Sequence, residues 1–269
     1  MINTPFNYTG SKFKLLEQIL PLFDYTKTKF IDVFTGSFVV STNVIEKYEN
    51  ILANDIIKEL IDIHKLLINN PENIINKTKE LTSGCKEEQN KYVELRTSFN
   101  NEKSPEKLWA LMLTCTNNML RFNKSFEFNQ TWGKRGWSES TENKVNIFIE
   151  SIKKYKDKIY LSNKNFYEID INSDCFYYLD PPYINTEAGY NSYWSLELEN
   201  KLYNYIIELD KNKCTFALSG VIGEHKNNKK SKLIDNLITK FNYKILEFNY
   251  NKVAKIKNKE SKEILIYNY

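Results

Sequence analysis

Short apolar runs that end in a turn and lead into a helix recur along this chain, and that alternation restricts it to few folds. Phe30-Ile31-Asp32-Val33-Phe34 is apolar apart from one acid and is closed by Thr35-Gly36-Ser37, which reads as a buried strand and a tight turn. A helix is expected from Val39 to about Tyr48, then a strand over Ile51-Leu52-Ala53 that ends in Asn54-Asp55. Together these form a βαβ unit with an acid at the tip of its second strand. Before it, Leu15, Leu16, Ile19, Leu20 and Phe23 recur at helical spacing after Gly10-Ser11.

Further strands are expected at Ile159–Ser162, Cys175–Leu179, Cys214–Leu218, Tyr243–Tyr250 and Ile264–Tyr267, with helices over Leu196–Leu209 and Ser231–Phe241. Alternating strands and helices argue for an α/β fold, a mostly parallel Rossmann-like sheet covered on both faces. A Lys-rich loop too short for a helical crossover separates the last two strands, so they should form an antiparallel hairpin. Between Ile56 and about Tyr155 the pattern is helical and polar, broken only from Arg121 to Trp137. The expected organisation is a catalytic domain from 1–60 and 158–269, with 61–157 as a helical insert that reads a partner.

Asp180-Pro181-Pro182-Tyr183 follows the strand Cys175–Leu179 directly. In open α/β sheets, ligands sit beyond the carboxyl ends of strands. Two prolines fix φ and remove two N–H donors while leaving their carbonyls as acceptors. An Asp carboxylate and a proline carbonyl can together accept both hydrogens of a conjugated amine, and Tyr183 can stack on a flat ring. Alone, such a run is as readily a turn. Phe34-Thr35-Gly36 resembles a dinucleotide-type glycine turn and is weak by itself. Asp55 suits ribose hydroxyls, and equally a cap for the helix starting at Ile56. Asp32 fits the same pocket or a salt bridge at the sheet end. Asn7-Tyr8-Thr9-Gly10-Ser11-Lys12 also reads as a capped helix start.

Several function classes drop out. With two histidines far apart, His64 and His225, a His-rich metal site is excluded and a His-based triad disfavoured. Cys85, Cys115, Cys175 and Cys214 form no CxxC pair and read as reduced, buried small side chains. No apolar run reaches membrane-spanning length, and Met1-Ile2-Asn3-Thr4-Pro5 has no signal pattern, so a cytoplasmic protein is expected. The net charge of +4 permits a nucleic-acid partner. The basic residues gather at Lys226, Lys229, Lys230 and Lys232, and at Lys252, Lys255, Lys257, Lys259 and Lys262; solvated loops would look the same.

The order Tyr-Thr-Gly-x-Lys, Phe-x-Asp-x-Phe-x-Gly, Ala-Asn-Asp, helical insert and Asp-Pro-Pro-Tyr resembles the Dam-type (class α, D12) adenine DNA methyltransferases, especially phage members. The resemblance extends to Arg121-Phe122-Asn123, to Phe128–Arg135 and to Tyr190-x-x-Tyr193-Trp194. It implies an S-adenosylmethionine-dependent enzyme that needs no metal. The enzyme would methylate the N6 amine of a flipped adenine in duplex DNA, at GATC or a related short site, as a monomer or weak dimer in a bacterial or phage-infected cell. It implies cofactor contacts from Tyr8, Gly10, Lys12, Asp32, Phe34, Gly36, Asp55, Asn165, Phe166 and Asp180, and catalysis by Asp180, Pro181, Pro182 and Tyr183. Arg135 would read a guanine edge, with Arg121, Asn123, Asn129 and Lys134 also on DNA. Two departures are visible: Ser37 stands where many members have a second glycine, and Thr131-Trp132 replaces the usual Pro-Phe. Cytosine-N4 methylation and protein-glutamine methylation use related amine chemistry, and a non-catalytic DNA-binding module is the remaining alternative.

Overall fold

A computed structural model describes residues 1–6, 8–182, 194–222, 232–247 and 262–269. After Gly10-Ser11 the chain is helical in short pieces: a 3-10 turn at Lys12–Leu15, helix α1 (Leu16–Ile19) and a second 3-10 turn at Leu20–Leu22. The expected amphipathic stripe is present, and Leu15, Leu16, Ile19 and Phe23 are buried. Pro21 falls in the second 3-10 turn, where its missing N–H ends the α-helical ladder.

Strand β1 (Lys29–Asp32), helix α2 (Val39–Val44) and strand β2 (Asn50–Asn54) form the βαβ unit. Helices α3 (Lys58–Asn69), α4 (Pro71–Thr82), α5 (Gln89–Asn101), α6 (Pro105–Thr114) and α7 (Glu139–Lys153) follow. The rest is β3 (Ile159–Ser162), β4 (Cys175–Leu179), α8 (Leu196–Lys211), β5 (Thr215–Ile222), α9 (Lys232–Ile238), β6 (Asn242–Leu246) and β7 (Lys262–Tyr267). Serine hydroxyls start three helices: Ser104, Ser138 and Ser195 accept from the backbone N–H groups of Lys107, Thr141 and Leu198.

The seven strands lie in the order β3-β2-β1-β4-β5-β7-β6. The first five pair in parallel, and β7 runs antiparallel between β5 and β6. The expected hairpin of the last two strands is present in the register Ile245↔Ile264, and β7 also pairs β5, Val221 facing Glu263. The chain leaves β1 toward β2 on one side and returns to β4 on the other. The carboxyl ends of β1 and β4 therefore flank a switch-point crevice.

The period-two rule divides β4 between two cores. Phe176 and Tyr178 face one with Phe23, Phe30 and Tyr48, and Cys175, Tyr177 and Leu179 face the other with Leu202, Ile206 and Leu237. Every residue of β4 is buried, as a central parallel strand requires, at roughly 1.5–3 kcal/mol per large apolar side chain. The first core runs without a break from the sheet through Leu60, Ile63 and Leu67 of α3 to Phe99, Trp109 and Phe128. The middle third is helical, as the sequence pattern requires, but it has no separate core. Phe148 of α7 packs edge-on against Phe38 at 6.3 Å, and α3 packs on α4 and α6 as well as on β3, so the middle third and the sheet share one core.

Candidate active site

At the carboxyl edge of β1 the ladder outlasts the strand, with Val33 N donating to Tyr178 O at 2.9 Å and Thr35 N to Asn54 O at 2.8 Å. Asn54 is the clamp. Its Nδ2 donates to Val33 O (3.1 Å) and Lys164 O (3.0 Å), and its Oδ1 accepts from Lys164 N (2.9 Å). One buried amide thus ties the ends of β1, β2 and β3. Gly36 sits at φ +47°, and a Cβ there would come within 3.1 Å of the Tyr8 ring, so the turn needs glycine for conformation and for space. Its N–H donates to Asp55 Oδ2 (3.0 Å), and its carbonyl lies 2.8 Å from Nε2 of the buried His64.

Asp55 uses both oxygens on backbone, the second accepting from Ile57 N at 2.9 Å. This is an Asx turn leading into α3, whose N-cap is Ile57 with no side-chain cap bond, so the expected capping role of Asp55 is not formed. Burial pushes the carboxyl up to about 6, against the lowering of these hydrogen bonds. Asp32 is 1% exposed, and its Oδ2 accepts from Ser41 Oγ (2.7 Å) and Thr35 Oγ1 (3.0 Å), while Oδ1 is buried with no hydrogen-bond partner among the described residues. Burial raises its carboxyl to about 7, with Asp180 and Asp55 adding a smaller push. The sheet-end salt bridge admitted for Asp32 is not formed among the described residues; the Ser41 and Thr35 hydroxyls hold it instead, and the buried Lys12 bonds Asp180. Burial likewise lowers His64 to about 4, so its ring is neutral and Nε2 carries the proton given to Gly36.

Asp180 leaves the end of β4, and Lys12 Nζ meets its Oδ1 at 2.8 Å with the two side chains 6% and 19% exposed. Lys12 also donates to Gly10 O at 3.3 Å. The resemblance implies a cofactor contact for Lys12; in this structure its ammonium is bonded to Asp180.

These residues surround one cleft of about 1020 Å³. Tyr8, Gly10, Lys12, Asp32, Phe34, Gly36, Asp55, Asn165, Phe166 and Asp180 all line it, with Pro181 and Pro182. Three aromatic rings form one wall: Phe34 lies 5.5 Å from Phe166 and 5.9 Å from Trp194, and Phe166 lies 5.8 Å from Trp194. Asn165 caps the 3-10 turn that carries Phe166, in a reciprocal box with Glu168. Tyr183, Tyr190 and Tyr193 lie outside the described residues, as do Lys226, Lys229, Lys230, Lys252, Lys255, Lys257 and Lys259.

The expected DNA-facing residues gather away from the strand ends, on a two-tiered loop held by the bridges Cys115↔Trp132 and Phe122↔Phe128. Arg121 and Asn129 hold each other, Nε to Oδ1 at 2.8 Å and a terminal guanidinium nitrogen to the backbone carbonyl at 2.6 Å. Asn123 folds the tip by accepting from Ser125 N and Glu127 N. Exposed Arg135 donates to Asn118 Oδ1 at 2.6 Å, and the ammonium of exposed Lys134 lies 5.4 Å from the Trp132 ring centre. Gly133 has no room for a side chain, since a Cβ would fall 2.3 Å from Cys115 O.

Sequence reasoning missed the roles of Asn54, Asn117, Phe126, Val221 and Glu263, all of which line the cleft. Asn54 had a signal in its place beside Asp55. Nothing local marked Asn117 or Phe126, which reach the cleft from the insert.

A sheet with an antiparallel seventh strand between the fifth and sixth, and this cleft at its switch point, has the architecture of the S-adenosylmethionine-dependent methyltransferases. The chain belongs to the family described as D12 class N6 adenine-specific DNA methyltransferase, matched over residues 8–254. It is 33% identical over 285 residues to the modification methylase StsI of Streptococcus sanguinis, covering 100% of this chain and 43% of that protein. It is 31% identical over 284 residues to the type II methyltransferase M.FokI of Planomicrobium okeanokoites, with shares of 100% and 43%. M1.LlaDCHI of Lactococcus lactis subsp. cremoris is 25% identical over 283 residues, with shares of 97% and 94%. The chain therefore spans less than half the length of the StsI and FokI relatives. The methyl donor of this family is S-adenosylmethionine. The cleft fits it: the volume matches the upper range of small-molecule sites, an aromatic wall faces buried acids, and Asp32 Oδ1 offers an unused acceptor. No helix among the described residues is long and apolar enough to cross a membrane, and no cluster there is suited to a metal.

Proposed function

We propose that this chain methylates the N6 amine of adenine in duplex DNA at a short specific site, GATC or a related sequence. The observation that carries this reading is the shared cleft. Strand-end residues Asp32, Asp55 and Asp180 and the insert residues Asn117 and Phe126 line the same cleft. A base extruded from DNA held by the insert would arrive next to Asp180.

The DNA-reading unit would be the loop from 115 to 137 with α4–α6 behind it, Arg135 taking a guanine edge and Arg121, Asn123, Asn129 and Lys134 contacting bases or phosphates. Adenine would flip at an unstacking cost of a few kcal/mol. Asp180 and the Pro181 carbonyl would accept the amine hydrogens, leaving the nitrogen lone pair directed out of the ring plane, and Tyr183 would stack on the base. Tyr8, Gly10, Lys12, Phe34, Gly36, Asp55, Asn165 and Phe166 would shape the cofactor side. When bound, S-adenosylmethionine supplies an electrophilic methyl group on a sulfonium. The contribution of the chain is positioning and a polar, preorganised pocket.

The test is to incubate the chain with labelled S-adenosylmethionine and plasmid DNA, then analyse nucleosides and map modified sites. N6-methyladenine at one short sequence is expected. Label in N4-methylcytosine or in protein would replace the substrate, and absence of cofactor binding would overturn the enzymatic reading.

A further inference from the structure

The antiparallel strand β7 brings a side chain to the cleft that no parallel strand can. Parallel strands reach the ligand edge of the sheet with their last residues, whereas β7 reaches it with its first. Glu263 faces Val221 near the end of β5, and both line the cleft with Lys12 and Asp180. Oε2 of Glu263 is buried and meets no hydrogen-bond partner among the described residues. A buried acceptor left this way is costly, so it calls for a donor in some state of the enzyme.

One such donor lines the same cleft, the buried ammonium of Lys12, which is bonded to Asp180. Burial raises the Glu263 carboxyl, with the Lys12 charge opposing that rise and Asp180 adding to it, so a closer approach of the ammonium would favour the carboxylate. Under the function proposed above, the Asp180 carboxylate must accept the hydrogens of an incoming amine. An oxygen engaged with an ammonium is a poorer acceptor for that second donor. We propose that Glu263 is a positioning residue that takes over the Lys12 ammonium as Asp180 engages the target amine. Lys12 then keeps a partner throughout the cycle, and Asp180 is released without leaving a buried cation unpaired. The charged or titratable groups facing Glu263 in this account are Lys12 from the N-terminal segment, and Tyr178 and Asp180 from β4.

The test uses the full chain labelled with 13Cε-lysine, the Lys12 resonance being assigned with Lys12→Arg. In Glu263→Gln the Lys12 titration midpoint should fall by about one unit, a tenfold change in proton affinity. Single-turnover methyl transfer should slow by about tenfold, equivalent to that unit, while equilibrium dialysis shows S-adenosylmethionine affinity unchanged. Glu263→Asp, which keeps the charge on a shorter stem, should restore the midpoint and part of the rate. Should Glu263→Gln not fold, Glu263→Asp alone must slow transfer at unchanged cofactor affinity. A Lys12 midpoint and transfer rate that stay at wild-type values in the folded variants overturn the proposal. If the wild-type chain methylates no DNA, the functional reading fails, and the Lys12 midpoint still decides the pairing with Glu263.

Discussion

The cleft and the loop from 115 to 137 hold their polar residues in opposite ways. In the cleft, groups buried at strand ends are tied to the backbone of neighbouring strands: Asn54 to Val33 and Lys164, Asp55 to Gly36 and Ile57, Asp32 to hydroxyls on the turn and on α2. The polar groups cannot move unless the sheet moves. On the loop, Arg121 and Asn129 hold each other and Arg135 rests on Asn118, at sites half open to solvent. Left-handed Asn117, Asn118, Phe126 and Lys134 shape its backbone. Such bonds can be exchanged for bonds to a ligand at small net cost, because solvent is already nearby. The strand-end pocket is built from contacts fixed in the sheet, and the loop from contacts that a ligand can replace.

Four experiments break or sharpen that contrast. The largest effect is expected from Asp180→Ala, which removes the acceptor at the switch point. Methyl transfer should fall by roughly 10³-fold, with DNA affinity in a gel-shift assay little changed. Substantial residual turnover would remove Asp180 from the chemistry.

The second effect is on stability and belongs to the cleft. Asp32 and Asp55 titrate near 7 and 6 in the folded chain, above their ordinary value. The folded state therefore holds more protons than the unfolded state between about pH 4 and 7. Their protonated form adds stability below pH 4, which is lost as pH rises through the folded values. The loss reaches about 1.4 kcal/mol per pH unit for each group. Denaturant titrations of the ligand-free chain at pH 5 and 8 should show it, and Asp32→Asn should flatten the slope. An equal slope in that variant would contradict the buried carboxyl.

Third, Gly133→Ala drives a methyl into the Cys115 carbonyl and should destabilise the loop by about 1–3 kcal/mol. DNA affinity should drop while S-adenosylmethionine affinity holds; parallel losses would show that loop and cleft are one rigid unit. The smallest effect is Arg135→Ala, which leaves the fold intact. It should cost about 1–3 kcal/mol of binding to the cognate site and relax discrimination at one position, measured by competition with single-base variants. A uniform loss across sequences would reassign Arg135 to phosphate.

Most of the sheet was legible because strands reveal themselves locally. Phe30–Phe34 and Cys175–Leu179 are short, apolar and closed by turn residues, and both became central strands. The site acids were legible for the same reason, since Asp55 and Asp180 each follow such a run and Asp32 is the one acid within another. Legibility ended where contacts are distant. The Asn54 clamp joins residues 110 apart in the chain, and the Lys12–Asp180 pair joins the first helical turn to the end of β4. A division at 61 follows the change in sequence pattern, whereas α3 crosses it and buries Leu60, Ile63 and Leu67 in a core shared by α4, α6 and the sheet.

By itself, then, the sequence determined the succession of strands and helices, the carboxylates at the strand tips and the proline-fixed turn after β4. Each of these follows from side-chain periodicity and backbone stereochemistry over a few residues. The tertiary structure alone decided which acid faces Lys12, that Asp32 is held by hydroxyls in place of a cation, and that β7 delivers Glu263 to the cleft. Those outcomes depend on burial and on partners brought together by sheet order, and neither is encoded within any one stretch of chain.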